Sequence, residues 1–104
     1  MTITEKERSA LEAYGDVPTP AGDLVLLFNE EVIIELEGGA DHWEQLRPFT
    51  FLREIGGSAH RVVPAIARPG ADLLDSDRTL WAELCEVVRE AGVEVGPLQA
   101  LRAA

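Results

Sequence analysis

The two histidines of this 104-residue chain follow glycine pairs at the same offset, in GGADH (Gly38 to His42) and GGSAH (Gly56 to His60). Matched placement could bring two imidazoles together, with Asp41 or Glu44 as a third donor, and zinc needs three or four such groups to converge. Glycine pairs also end strands and helices for conformational reasons, and a histidine beside a helix cap is commonplace. The metal candidates are therefore His42, His60 and Asp41, while the expectation from the residues is that the chain binds no metal and no other cofactor.

A second group of polar side chains surrounds the stretch VVPAIARPGADLLDSDRTLW, Val62 to Trp81, which reads as a strand, a Pro/Gly loop and a helix start. In open α/β sheets ligands gather at the carboxyl end of a strand. Arg47, Arg53, His60, Arg61 and Arg68 form the least acidic part of the chain, and a fork of guanidiniums could hold a phosphate or carboxylate. Arg47, His60, Arg61, Arg68 and Asp77 are the candidates for contact with an anion or a partner; salt bridges to the surplus acids are the plainer use for them. No phosphate-cradling G-x-x-x-x-G-K-[ST] or G-x-G-x-x-G is present. Ser58, His60 and Asp41 could be written as a hydrolytic triad, but there is no G-x-S-x-G elbow to support it. No catalytic residue is assigned.

Cys85 is the only cysteine, so no disulfide within the chain and no Cys-rich zinc site can form. Its setting in LWAELCEVVREAGV places it on the apolar face of a helix, as a core thiol of low reactivity. Trp43 and Trp81 also fall on apolar helical sides and are expected in the core.

The formal charge is −10, with 19 acids against nine bases. A field of that sign repels nucleic acid and anionic lipid. Nucleic acid and membrane are thus not the expected partners; another protein is, and a homo-oligomer is allowed. The longest apolar run, Leu24 to Phe28, is far short of a membrane span. MTITEKERSALEAYG has no apolar h-region, so the expected location is cytoplasmic.

These side chains must be positioned by a single domain, since 104 residues leave no room for a second core. Thr4 with Glu7 three residues on reads as a capping box opening a helix that Gly15 stops. Residues 1–22, this helix and a Pro/Gly linker, are expected to be loosely packed, because only Ala10, Leu11 and Tyr14 are on offer. Leu24 to Phe28 and Val32 to Leu36 predict a β-hairpin turning at Asn29-Glu30-Glu31, the first strand covered on both faces. Asp41 caps a helix that Pro48 must kink or divide. HRVVPAIARP is a third strand, with Pro64 favouring an edge or a bulge. Asp77 or Ser76 caps the clearest helix, whose Leu80, Trp81, Leu84, Cys85, Val87 and Val88 repeat at helical spacing. Val93 to Val95 is a last short strand, and GPLQALRAA a terminal turn or helix. The predicted class is α+β (α/β-like), one small mixed sheet of three or four strands packed by two or three helices, in the order α-β-β-α-β-α-β.

The segment SAHRVVPAIARPGADLLDSDRTLWAELCEVVREAGVEV resembles the second half of the JAB/JAMM metalloprotease-like domain in its RadC-type form. There a strand runs into H-x-H-P, a loop brings a Ser and an Asp, and a helix leads to a strand. Pro69 stands at the family's Pro and Ser76 at its Ser. Ile66 and Arg68 stand where the zinc histidines would be, and the Asp ligand falls on Thr79, or on Asp77 if the loop is shortened. The resemblance implies a member without the metal, a non-catalytic interaction module.

The leading expectation is accordingly a non-catalytic, small acidic protein-interaction or regulatory domain. One alternative is a small enzyme or an anion- or metal-binding protein using the Gly-Gly-x-x-His turns and the Arg68–Asp77 loop. Another is an acidic inhibitor or nucleic-acid mimic.

Overall fold

The computed structural model describes residues 2–16, 18–43, 61–90 and 92–103. Helix α1 spans Glu5–Gly15 and opens on the expected capping box: the Thr4 hydroxyl accepts the Glu7 N–H at 3.1 Å, and the Glu7 carboxylate accepts the Thr4 N–H at 2.9 Å. Strands β1 (Leu24–Phe28) and β2 (Val32–Leu36) pair antiparallel as a hairpin. Its turn puts Asn29 and Glu30 at φ 51° and 69°, the left-handed region that matches the twist of the flanking strands and that Asn enters most readily.

Strand β3 (Arg61–Arg68) lies antiparallel to β1 on the side away from β2. A short 3-10 turn, Pro69–Ala71, leads to helix α2, Asp75–Arg89. The chain then returns as β4 (Glu94–Val95) and β5 (Gln99–Arg102), which lie end to end along β3 and parallel to it. Among the described residues the result is a five-stranded mixed sheet, in an α+β fold. The helix expected after Asp41, with its Pro48, lies outside the described residues. No helix among the described residues is long and apolar enough to cross a membrane.

Each strand's alternation sorts its side chains between two cores. Leu24, Leu26 and Phe28 of β1 and Val62 and Ile66 of β3 meet Leu80, Leu84, Val87 and Val88 of α2, with Trp43 packed against them. Val25, Leu27, Val63, Ala65 and Ala67 meet Leu11 of α1 and Leu101 of β5 on the opposite face. A strand covered on both faces needs consecutive apolar residues, which is why β1 reads LVLLF and is buried throughout. Helix α1 buries both Glu7 and Leu11 against the sheet.

Two expectations need correction. GPLQALRAA contains a strand, not a terminal turn or helix: Leu101 is needed in the α1-side core, and extended pairing with β3 puts it there. Pro64 lies on an inner strand, not at an edge. Odd residues of β3 turn their backbone groups to β1, since the Arg61 carbonyl accepts from Asn29 N–H (3.0 Å) and Ala67 N–H donates to the Asp23 carbonyl (3.1 Å). Even residues therefore face the other side, where the Val62 and Arg68 carbonyls accept from Gly96 N–H (2.8 Å) and Ala103 N–H (3.0 Å). The hydrogen-less nitrogen of Pro64 falls between these two, opposite the 96–98 break that separates β4 from β5. The Pro97 carbonyl in that break takes the Gln99 Nε2–H at 2.9 Å, and the Gly96 carbonyl takes the Trp81 Nε1–H at 3.1 Å.

A core divided in this way ranks positions by burial. Leu26→Ala, at a side chain with no exposure, should cost about 2–5 kcal/mol, whereas Val32→Ala, at a side chain 56% exposed, should stay within about 0.5 kcal/mol. Urea denaturation of the two variants checks the ranking.

Candidate functional site

The polar residues at the carboxyl end of β3 converge, but on one another. Arg68 is the last residue of β3 and, being even-numbered, points to the α2 face. Its Nε donates to Asp77 Oδ2 at 2.9 Å and its Nη2 to Asp77 Oδ1 at 2.6 Å, a two-pronged match of guanidinium and carboxylate. The same Nη2 lies 2.9 Å from Asp41 Oδ1. Asp77 is fully buried and the Arg68 side chain is 7% exposed, so Asp41, about half exposed, is the rim of this cluster. Gly22 makes room for it: at φ +91°, any Cβ there would strike the Asp41 carboxylate.

Asp77 was expected as the cap of α2. The cap lies three residues before Asp77 and two before the alternative Ser76, at Leu74, which has no side-chain acceptor. Asp77 occupies the third helical position and reaches back to accept the Leu74 N–H at 2.9 Å, the returning half of a capping box. Burial alone would push its carboxyl upward; the Arg68 guanidinium and the Leu74 N–H outweigh that and hold it below the ordinary carboxylate value. Arg68 is correspondingly held in its charged form by the bond to Asp77.

The other end of β3 repeats the device on the opposite face. Arg61 donates from Nε to Glu7 Oε2 at 2.7 Å and from Nη2 to Glu7 Oε1 at 3.1 Å. Its Nη1 reaches Glu94 at 3.0 Å, and its Nη2 also reaches the Thr2 carbonyl at 3.0 Å. Glu7 is fully buried at the third position of α1. Its carboxyl, pressed upward by burial, is pulled below its usual value by Arg61 and by the Thr4 N–H.

The remaining candidates do not join these clusters. His42 is exposed just after β2, its N–H donating to the Gly38 carbonyl at 3.2 Å. His60, Arg47, Arg53, Glu44 and Ser58 lie outside the described residues. Among the described residues, no three His, Cys, Asp or Glu side chains gather to hold a metal ion. Asp23 is buried with Oδ1 accepting the Gly38 N–H at 3.0 Å and Oδ2 without a hydrogen-bond partner. Cys85 is half-buried, and burial pushes its thiol up, away from the reactive thiolate.

The sequence reading missed a groove of about 1060 Å³ between α1 and β5, lined by Arg8, Leu11, Glu12, Gln99, Leu101 and Arg102 among others. Its only sequence signal was Leu101 following Leu98 at an odd spacing in a segment without β-branched residues, too little to mark a strand. No protein-family model, curated protein or solved structure matches the chain.

The buried pairs set the acid limit of the fold. Because the Glu7 and Asp77 carboxyls are depressed in the folded state, the unfolded chain takes up protons first as pH falls. Stability should be complete above about pH 6 and lost as the pH drops through about 4 and below. Asp77→Ala should cost about 3–5 kcal/mol by stranding Arg68, and replacing both partners, as in Arg68→Met with Asp77→Leu, should recover part of that loss. Urea midpoints across pH 3 to 7, roughly the span over which carboxylates titrate, read both effects.

Proposed function

We propose that the domain acts by binding another protein and performs no catalysis of its own. The observation that carries this reading is the closure of Arg68 on Asp77 and Asp41 at 2.6–2.9 Å, at the strand end where α/β sheets ordinarily place a ligand. A guanidinium satisfied by two carboxylates has little left to offer a phosphate, and a carboxylate so held is a poor base at neutral pH. The likeness to the JAB/JAMM domain is in keeping with a metal-free module, since Ile66 is in the core and Arg68 is held by Asp77 at the positions of the zinc histidines.

Charge supports a basic partner. The Glu7–Arg61 and Asp77–Arg68 pairs each cancel, so burying them leaves the whole −10 of the chain to its other residues. Complementary charge raises the rate of encounter and makes a complex salt-sensitive.

Affinity capture on the purified protein, followed by reconstitution from purified components, should give a stoichiometric complex with a basic protein. Its affinity should fall about tenfold or more between low and physiological salt. Stoichiometric metal retained through purification, or saturable binding of inorganic phosphate that His42→Ala abolishes, overturns the reading in favour of a ligand site.

A further inference from the structure

Among the described residues, the sheet has an open side along β5. Because β3 takes the Ala103 N–H and backbone groups alternate along a strand, the N–H and C=O of Ala100 and Arg102 point away from β3. Both residues are exposed, and no strand among the described residues pairs with them. Residues of helix α1 and of β5 together line the groove.

We propose that β5 pairs with β5 of a second copy of this chain, joining two sheets across a twofold axis. Turning a second β5 antiparallel about an axis at Leu101 sets Ala100 of each copy opposite Arg102 of the other. In that register both residues of each pair turn their backbone groups inward, so two such pairs exchange about four hydrogen bonds. The side chains fit the same register. Arg102 lies opposite the smallest side chain of the strand, with no like charge directly across from it. Leu101 meets its own copy on the α1 face, and so extends the core it already belongs to. Self-pairing about a twofold axis is the commonest mode of assembly.

Charge selects this face. Two chains of −10 repel one another over most of their surface. The groove is the exception, since Arg8 and Arg102 among its lining residues balance Glu12 and Asp16. Among the described residues the ion pairs that form engage Arg61, Arg68 and Arg78, and neither groove arginine takes part in them.

This inference does not depend on the proposed protein partner, and its test uses the isolated chain. Sedimentation equilibrium from about 1 μM to about 1 mM should show a reversible shift from 11.3 kDa to twice that mass. Amide exchange should show protection of Ala100 and Arg102 that rises with concentration, with Leu101 protected throughout by β3. Ala100→Pro removes one outward N–H per copy without touching the bond to β3 and should weaken association at least about tenfold. Arg102→Glu, which adds like charge at the seam, should do the same and serves where the proline variant fails to fold. A chain that stays monomeric across this range overturns the proposal, as does a dimer that both folded variants form as tightly as the parent or one whose Ala100 and Arg102 amides exchange independently of concentration.

Discussion

An acidic residue at the third position of each of the two described α-helices grips an arginine at one end of β3, and the architecture follows from that repeated contact. Each carboxylate serves two masters: it satisfies an orphan N–H at its own helix start and neutralises a guanidinium brought by the sheet. Arg61 is odd-numbered and reaches α1; Arg68 is even-numbered and reaches α2. The period-2 alternation of a single eight-residue strand therefore decides which helix covers which face. Apolar burial supplies the driving force but little direction, whereas two forked ion pairs at opposite ends fix each helix's position along the strand.

The same strand explains where the sheet stops. Pro64 has no N–H to donate on the side that faces β4 and β5, and the neighbouring chain interrupts its pairing opposite it, at residues 96–98. Trp81 and Gln99 satisfy the carbonyls left in the break, which ties α2 to the interruption. A proline on an inner strand thus costs one ladder bond and yields two short edge strands in place of one long one. Short edges resist indiscriminate pairing, and among the described residues β5 is one of the strands, with β2 and β4, that pair on one side alone.

How much of this was legible in the sequence depended on how local the cause was. The hairpin was, to the residue, because Asn29 and two apolar runs lie within one short window. So was the capping box of α1, whose partners are three residues apart. The role of Glu7 beyond its cap was not, because Arg61 is 54 residues away and nothing in either neighbourhood names the other. Pro64 was read from its own chemistry as an edge or a bulge; its missing donor was the right signal, but the consequence appears on the neighbouring strand. At the candidate site, Arg68 and Asp77 stand out in the sequence as polar groups near one strand end. Their spacing of nine residues could not say whether they would face a ligand or each other.

That last distinction governs what the domain can do. A charged pair that waits for a ligand must keep one partner solvated or unsatisfied, so that binding gains more than it disrupts. Here the Asp77 carboxylate accepts from Arg68 twice and from Leu74 once, and it is sealed from water. Opening it for a small anion would break three bonds and strand a buried charge, a cost a single anion contact does not offset. On the proposed reading, recognition falls to groups outside these pairs: the remaining carboxylates, and the outward backbone groups of β5. Both favour a macromolecular surface over a small molecule, the first through a diffuse field and the second through an extended chain laid against an edge.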